Sequence, residues 1–178
     1  MIGQEPYQTY TTADDCYLNL GTSSIITEWF GNTIDTMSFD LGTHGWDAEL
    51  CPVTVWQQVP ILNQIHNQFA IKHAGILRLK PYRCYDWHVD QYRGVTVNCL
   101  LTPSIKTHCV FGKPDGNEHF DFLELTYQPN TLYLFNTQVP HMVMNWDETR
   151  YVFGVEFEQD KTELLYNDIK QWLSLIHI

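Results

Sequence analysis

The chain has 178 residues, of which 44% are hydrophobic and 17% charged. These proportions exclude an intrinsically disordered chain and favour one globular domain over residues 1–178. Ten basic residues stand against 21 acidic ones, a formal net charge of −11 that argues against a nucleic-acid partner. We find no signal-peptide pattern and no apolar run near the roughly 18 residues that a membrane span needs. We therefore expect a cytoplasmic protein with no membrane partner.

Residues 1–74 are expected to pack strands and a helix against a β core. Three short strands are predicted, separated by glycine-containing turns: Cys16–Leu20, Ile25–Phe30 and Met37–Leu41. A helix is then predicted from Pro60 to about Lys72, because apolar side chains recur there at helical spacing and proline suits a first helical turn.

The segment 75–159 has the sequence pattern of a β-sandwich or barrel. Short apolar runs follow one another with turn signals every 8–12 residues, which is typical of such folds. Eight strands are predicted: Ile76–Leu79, Tyr85–Asp90, Val95–Leu101, His108–Phe111, Phe120–Thr126, Thr131–Phe135, His141–Met144 and Tyr151–Glu158.

Residues 160–178 predict a C-terminal helix. Asp160 with Glu163 three residues later resembles a capping box, and an apolar stripe follows at helical spacing. The helix and its apolar tail could form a homodimer contact, and the tail side chains are Leu173, Leu175, Ile176 and Ile178.

The five cysteines form no CxxC pair, and their number is odd. A disulfide framework and a thiolate zinc site are therefore not expected. We expect reduced and mostly buried thiols.

A histidine and an aspartate lie two residues apart in Trp87-His88-Val89-Asp90. In a strand, residues i and i+2 point to the same side of the sheet, so these two side chains project together. A His-x-Asp sequence taken alone is more often a surface or hydrogen-bonded pair than a metal site.

A second histidine, His141, begins a predicted strand 53 residues after His88. Four or five strands fit in that interval, which is enough for the chain to travel round a barrel and return. Two histidines and a carboxylate would hold a metal on one face and leave three positions open, the ligand set of non-haem Fe(II) oxygenases. The sequence therefore predicts a metal site made by His88, Asp90 and His141.

Arg150 follows His141 by nine residues, after a turn, and shares one side of its predicted strand with Val152 and Gly154. An inward arginine among small and apolar side chains needs an anion. A dicarboxylate could bind the metal at one end and Arg150 at the other, because the guanidinium fork matches a carboxylate.

These residues and their spacing resemble the Fe(II)/2-oxoglutarate-dependent oxygenase superfamily. The stretch from Phe135 to Asn145, followed by Arg150, looks most like the aspartyl/asparaginyl and prolyl hydroxylase branches, and the resemblance covers roughly residues 75–158. It implies a mainly β fold with a double-stranded β-helix (jelly-roll, cupin-like) core and flanking α-helices.

The resemblance also implies roles. His88, Asp90 and His141 would bind Fe(II) and carry the reaction, and Arg150 would hold the distal carboxylate of the co-substrate 2-oxoglutarate. O₂ would be consumed, with ascorbate as a candidate reductant. A small molecule, peptide or protein side chain would be hydroxylated, with release of succinate and CO₂.

Further residues are candidates for the wall of the same pocket. Arg78 precedes the His-x-Asp sequence by ten residues and could bind the co-substrate or a substrate carboxylate; an ion pair with an acidic side chain is its competing interpretation. The remaining candidates for cofactor binding are Tyr85, Asn98, Tyr133 and Asn145, and core packing competes for the two tyrosines.

Two other functions remain open from the sequence. A cupin-type dioxygenase or isomerase also places histidines on jelly-roll strands, but its site usually has three histidines and a glutamate and needs no trailing arginine. A non-catalytic metal- or ligand-binding domain would keep the ligands without turnover. Succinate production from 2-oxoglutarate separates that domain from an oxygenase.

Overall fold

The computed structural model describes residues 12–39, 47–102, 106–114 and 120–176. Its strands are β1 (Tyr17–Thr22), β2 (Asp47–Cys51), β3 (Ile71–Leu79), β4 (Cys84–His88), β5 (Val95–Leu100), β6 (Thr107–Pro114), β7 (Phe120–Glu124), β8 (Thr131–Asn136), β9 (His141–Asn145) and β10 (Arg150–Phe157). Its helices are α1 (Ala13–Cys16), α2 (Ile25–Thr33), α3 (Val53–Trp56), α4 (Pro60–Phe69) and α5 (Tyr166–Leu175), with a 3₁₀ turn at Ile34–Thr36.

The strands form two antiparallel sheets. A six-stranded sheet has the order β1-β8-β5-β10-β3-β2, and a four-stranded sheet has the order β4-β9-β6-β7. From β3 to β10 the chain passes repeatedly from one sheet to the other, because β3, β5, β8 and β10 lie in the larger sheet and the rest in the smaller. This winding is a double-stranded β-helix, so the predicted mainly β jelly-roll fold is confirmed.

Successive side chains of a strand point to opposite faces of its sheet, and the buried apolar residues accordingly form two clusters. Phe153 and Val155 of β10 are buried in the main core, together with Leu62 and Ile65 of α4 and Ile169 of α5. A smaller cluster, with Phe111 and Phe135 at its centre, is made by residues of both sheets. The helices therefore flank the larger sheet, and the opposite face of that sheet is left to build a cavity.

The eight strands predicted between residues 75 and 159 all occur, with ends that differ by a few residues. Helix α4 ends at Phe69 rather than near Lys72, because Ala70 takes a left-handed conformation with φ of 51°. The amide of Ile71 then donates to Nδ1 of His66, which ends the helix and begins β3.

The N-terminal prediction was partly wrong. Residues 25–30 form the start of α2 instead of a strand, since Ile26 and Phe30 are four residues apart and bury one helical face. Strand β2 was not predicted, because its sequence DAELC lacks β-branched and aromatic residues. Of the strand predicted at Met37–Leu41, residues 37–39 are not a strand and the rest lie outside the described residues.

The C-terminal helix begins later than predicted. Asp160 instead accepts hydrogen bonds from the amide and hydroxyl of Thr162 in a turn, and Asp168 caps α5 by accepting the Leu165 amide hydrogen at 2.7 Å. Of the predicted dimer tail, Leu173 is fully buried and Leu175 is 71% exposed. Ile178 lies outside the described residues.

Across the parts of the chain that the structure describes, no helix combines the length and the hydrophobicity that crossing a bilayer requires.

Candidate metal centre and cavity

A cavity lies between the two sheets, on the face of the larger sheet that the helices leave uncovered. Its polar lining consists of Arg78, Tyr85, His88, Asp90, Arg93, Thr96, Asn98, Tyr127, Thr137, His141 and Arg150. Its apolar lining consists of Leu77, Leu79, Cys109, Phe135, Val143 and Val152.

The structure brings His88, Asp90 and His141 together in this cavity. Nε2 of His88 lies 3.8 Å from Oδ1 of Asp90, and Nε2 of His141 lies 3.9 Å from the same oxygen. One potential ligand atom from each residue lies within 4.8 Å of the other two. Within the described residues these three form the only such group of histidine, cysteine and acidic side chains.

The hydrogen bonds of both imidazoles leave Nε2 available to a metal. Nδ1 of His88 lies 2.6 Å from the carbonyl oxygen of Asp86, and Nδ1 of His141 lies 2.9 Å from that of Val139. A carbonyl only accepts, so each Nδ1 carries a hydrogen, and in the neutral form of each ring Nε2 is the nitrogen with the lone pair. Burial also lowers the pKa of His141, which favours the neutral, metal-binding form.

The two oxygens of Asp90 have separate surroundings. Oδ1 faces both imidazoles, while Oδ2 accepts a hydrogen bond from Nε of Arg93 at 2.5 Å. The Asp90 amide donates to the carbonyl of Thr137 at 3.0 Å, just before the strand that carries His141. The aspartate is therefore fixed from both its side chain and its backbone.

Arg150 lies in the same cavity and is only 7% exposed. Its Nη2 lies 3.5 Å from the hydroxyl of Tyr127, and its Nε is buried without a hydrogen-bond partner. Among the described residues no acidic side chain forms an ion pair with it. A buried guanidinium in this condition is costly unless an anion joins it.

Tyr127 and Cys109, next to Arg150, are uncharged at neutral pH. Burial raises the pKa of the Cys109 thiol to about 11 and raises the pKa of Tyr127 further from its ordinary value. Arg150 therefore keeps its positive charge uncompensated by these neighbours, and Tyr127 keeps a hydrogen to donate.

Comparisons with known proteins identify the fold of the chain. No protein-family model and no curated protein sequence matches the chain. Among solved structures, a prolyl 4-hydroxylase from Pseudomonas putida has a TM-score of 0.61 at 13% identity, covering 81% of this chain and 92% of its own.

Two other prolyl hydroxylases have similar values. The viral collagen prolyl hydroxylase of Paramecium bursaria Chlorella virus-1, solved with 2-oxoglutarate, has a TM-score of 0.55 at 13% identity and covers 78% of this chain and 93% of its own. The Trichoplax adhaerens prolyl hydroxylase, solved with a hypoxia-inducible factor peptide, has a TM-score of 0.57 at 16% identity and covers 80% and 82%. This chain has the fold of the 2-oxoglutarate- and Fe(II)-dependent oxygenases. The resemblance seen in its motifs is thereby confirmed for the fold.

Within this oxygenase fold, Arg78 lines the cavity but is engaged elsewhere. Its Nε and Nη2 donate to Oδ2 of Asp47 at 3.0 and 2.7 Å, and its guanidinium lies over the ring of Phe39. The ion-pair interpretation therefore describes its contacts, which join β3 to β2.

Tyr85 and Asn98 also line the cavity, as their strands predicted. The Tyr85 ring lies 6.1 Å from that of His88 on the same strand. Asn98 is paired with Gly154 of β10, and its Oδ1 lies 3.4 Å from the hydroxyl of Thr96. Both side chains lie on the wall that a cavity ligand would contact.

Tyr133 and Asn145 do not line the cavity. Tyr133 packs edge-to-face against Tyr17 and Tyr127 in the smaller cluster, and its hydroxyl accepts the Gln128 amide hydrogen. The buried amide of Asn145 donates to three backbone carbonyls, those of Leu79, Lys80 and Glu148. Asn145 therefore holds the turn that leads into Arg150, and Tyr133 serves core packing.

Tyr127 is a cavity residue that sequence reasoning missed. It lies between β7 and β8, outside any strand, so alternation gave no signal. It precedes a Gln-Pro-Asn turn, and a tyrosine next to a turn can face either solvent or a cavity. Only the fold brings it to Arg150.

Proposed function

We propose that the protein is an Fe(II)- and 2-oxoglutarate-dependent oxygenase that hydroxylates a small molecule or a peptide side chain. One observation carries the proposal: a cluster of two imidazoles and a carboxylate shares a cavity with a buried arginine that has no acidic partner among the described residues. The cluster suits a metal, and the arginine suits a carboxylate in the same cavity.

The donor set fits Fe(II). His88, His141 and Asp90 would supply two neutral nitrogens and one anionic oxygen, the facial set of non-haem iron oxygenases, which leaves other positions open. When bound, iron and 2-oxoglutarate supply the oxidising chemistry, with succinate and CO₂ as products. The hydrogen-bonded Nδ1 atoms orient both rings before any metal arrives.

Arg150 and Tyr127 would bind the distal carboxylate of 2-oxoglutarate. The guanidinium offers parallel N–H donors, including the unpartnered Nε, and Tyr127 offers a hydroxyl 3.5 Å from Nη2. The anion would neutralise the buried charge, which turns an unfavourable site into a binding site. The apolar side chains Val143 and Val152 also line the cavity and would help to exclude water from it.

The substrate class is supported more coarsely. One structure of the same fold holds a peptide. Another is described as an α-ketoglutarate-dependent epimerase of nogalamycin biosynthesis and has a TM-score of 0.57 at 10% identity. Peptide and small-molecule substrates therefore both remain within the proposal.

The two alternative functions make different demands on the residues. A cupin-type dioxygenase or isomerase has no need for a buried cavity arginine that lacks an acidic partner among the described residues, so Arg150 favours the oxygenase. A non-catalytic domain could keep every residue of the site, and only turnover distinguishes it.

The test is to incubate the protein with Fe(II), ascorbate, O₂ and 2-oxoglutarate and to measure succinate. We expect metal-dependent succinate formation without a prime substrate. Binding of 2-oxoglutarate to the Mn(II)-loaded protein, measured by calorimetry, is the parallel assay. Binding without succinate formation, even with candidate substrates, would favour the non-catalytic domain, and absence of both would contradict the proposal.

A further inference from the structure

We infer that Arg93 is a positioning residue that restricts Asp90 to one coordinating oxygen. This inference rests on the proposed function, since it concerns the geometry of the metal ligands. It assigns to Arg93 a specific task in the site: keeping one coordination position open that a chelating carboxylate would otherwise fill.

The contact itself is short and largely buried. Nε of Arg93 lies 2.5 Å from Oδ2 of Asp90, and the two side chains are 29% and 14% exposed. The other oxygen, Oδ1, is the one that lies 3.8–3.9 Å from the imidazole nitrogens. A charge-assisted hydrogen bond of this length occupies one lone pair of Oδ2 and draws electron density from it, so it favours metal binding through Oδ1.

The backbone of Arg93 is hydrogen-bonded to the loop between β8 and β9, which precedes His141. Its carbonyl accepts hydrogen bonds from the hydroxyl of Thr137 at 2.5 Å and from Nε2 of Gln138 at 2.9 Å. The same Gln138 nitrogen donates to the carbonyl of Asp90 at 3.0 Å. The backbone of Arg93 is therefore joined both to that of Asp90 and to the loop that precedes His141.

The residues on either side of Arg93 are fixed to the segment before α5. The Lys161 amide donates to the carbonyl of Tyr92 at 3.0 Å, and Gly94 forms a bridge with Leu165. Gly94 approaches so closely that a Cβ there would collide with the carbonyl oxygen of Leu164. The backbone at Arg93 thus has little freedom to move away from Asp90.

The number of oxygens that Asp90 contributes decides how many positions on the metal stay free for the co-substrate and O₂. An ion with six coordination positions, held by two imidazoles and one carboxylate oxygen, would keep three positions open, two for a chelating 2-oxo acid and one for O₂. If Asp90 used both oxygens, only two positions would remain. The Arg93 contact favours the arrangement that the proposed reaction needs.

The experiment uses Mn(II) as the probe and counts its exchangeable water ligands by water-proton relaxation. The variants are Arg93→Leu, Arg93→Lys and, as a matched control, Arg83→Leu at an exposed arginine before β4. We expect three exchangeable waters in the wild-type protein and in Arg83→Leu, and two in Arg93→Leu. We expect 2-oxoglutarate affinity of the Mn(II)-loaded Arg93→Leu protein to fall by about 10-fold or more.

Arg93→Lys keeps a charged donor and is expected to restore both properties in part, which guards against an effect of misfolding alone. An unchanged water count and unchanged 2-oxoglutarate affinity in folded Arg93→Leu would overturn the inference. So would a lysine variant that is folded but behaves as the leucine variant. A wild-type protein that binds no Mn(II) would instead contradict the proposed function, so the two failures are distinguishable.

Discussion

His88 and His141 face each other across two paired strands, although 53 residues separate them in the chain. They are register partners in β4 and β9, and their ring centroids lie 4.3 Å apart. A register shift between Tyr85 and His88 accompanies this pairing. The metal cluster therefore depends on strand pairing, and the following predictions test the residues that this pairing brings together.

His141→Ala is expected to abolish metal binding and succinate formation. The variant removes a buried imidazole whose Nε2 would be one of three protein ligands. The two remaining ligands would bind a metal ion much more weakly than three. Mn(II) titration followed by electron paramagnetic resonance measures the loss. His108→Ala, at a histidine of β6 that pairs with Glu124, is the matched control and should bind Mn(II) as the wild-type protein does.

Arg150→Ala is expected to leave Mn(II) bound but to weaken 2-oxoglutarate binding by about 2–5 kcal/mol, because it removes one partner of a buried charge pair. Arg150→Lys should recover only part of the affinity, since an ammonium lacks the guanidinium fork. Calorimetry on the Mn(II)-loaded variants measures both, with exposed Arg83→Ala as control. Wild-type affinity in Arg150→Ala would remove this residue from its proposed role.

Tyr127→Phe is expected to weaken 2-oxoglutarate binding by about 1.5–3 kcal/mol, the usual contribution of a hydrogen bond to a charged group. The hydroxyl beside Arg150 is lost while the ring and its packing against Tyr133 remain. Tyr82→Phe, at an exposed tyrosine, serves as the control. Equal affinities for Tyr127→Phe and wild type would show that this hydroxyl does not contact the ligand.

Gly94→Ala is expected to destabilise the fold by about 1–3 kcal/mol, the usual cost of overpacking. The added methyl group would meet the Leu164 carbonyl, and the backbone must move to accommodate it. Gly31→Ala, in α2 with no neighbouring atom within 4 Å, should instead stabilise by roughly 0.5–1 kcal/mol. Urea denaturation measures both, and similar effects of the two substitutions would contradict the close approach at Gly94.

The cysteines predict a loss of stability in alkaline solution. Burial raises the pKa of Cys16, Cys51 and Cys99 to about 12 and that of Cys109 to about 11. Unfolded thiols ionise near pH 9 while the folded ones keep their protons, so this stabilisation is complete below pH about 9 and is lost as pH rises towards 12. Urea denaturation at about pH 8 and about pH 10.5 should show a smaller free energy of unfolding at the higher pH.

The same burial predicts thiol reactivity. Cys84 is exposed and the other four cysteines are buried, so one thiol should react rapidly with a disulfide reagent in the folded protein and five after unfolding. Cys84→Ser should remove the rapid phase. More than one rapid thiol in the wild-type protein would contradict the burial of the remaining four.

The sequence by itself determined the β core and the candidate ligands, for a local reason. Alternation between turns fixes strands, and the i, i+2 spacing of His88 and Asp90 predicted side chains that project together. Strand β4 ends at His88, so Asp90 lies just beyond it, and the contacts of the following turn hold its side chain beside the imidazoles. Alternation along β10 likewise separated Arg150 and Val152 from Phe153 and Val155 before any fold was known, and the structure places the first pair in the cavity and the second in the main core.

Only the tertiary structure decided which residues meet across the chain. Tyr127 reaches Arg150 from a loop, Arg93 reaches Asp90 through a turn held by Gln138, and Asn145 supports a turn instead of lining the cavity. Side-chain spacing could not reveal these contacts, because they depend on how irregular segments close over the sheets. Periodicity fixes the face on which a strand residue lies, whereas a loop residue has no face until the sheets that flank it have packed.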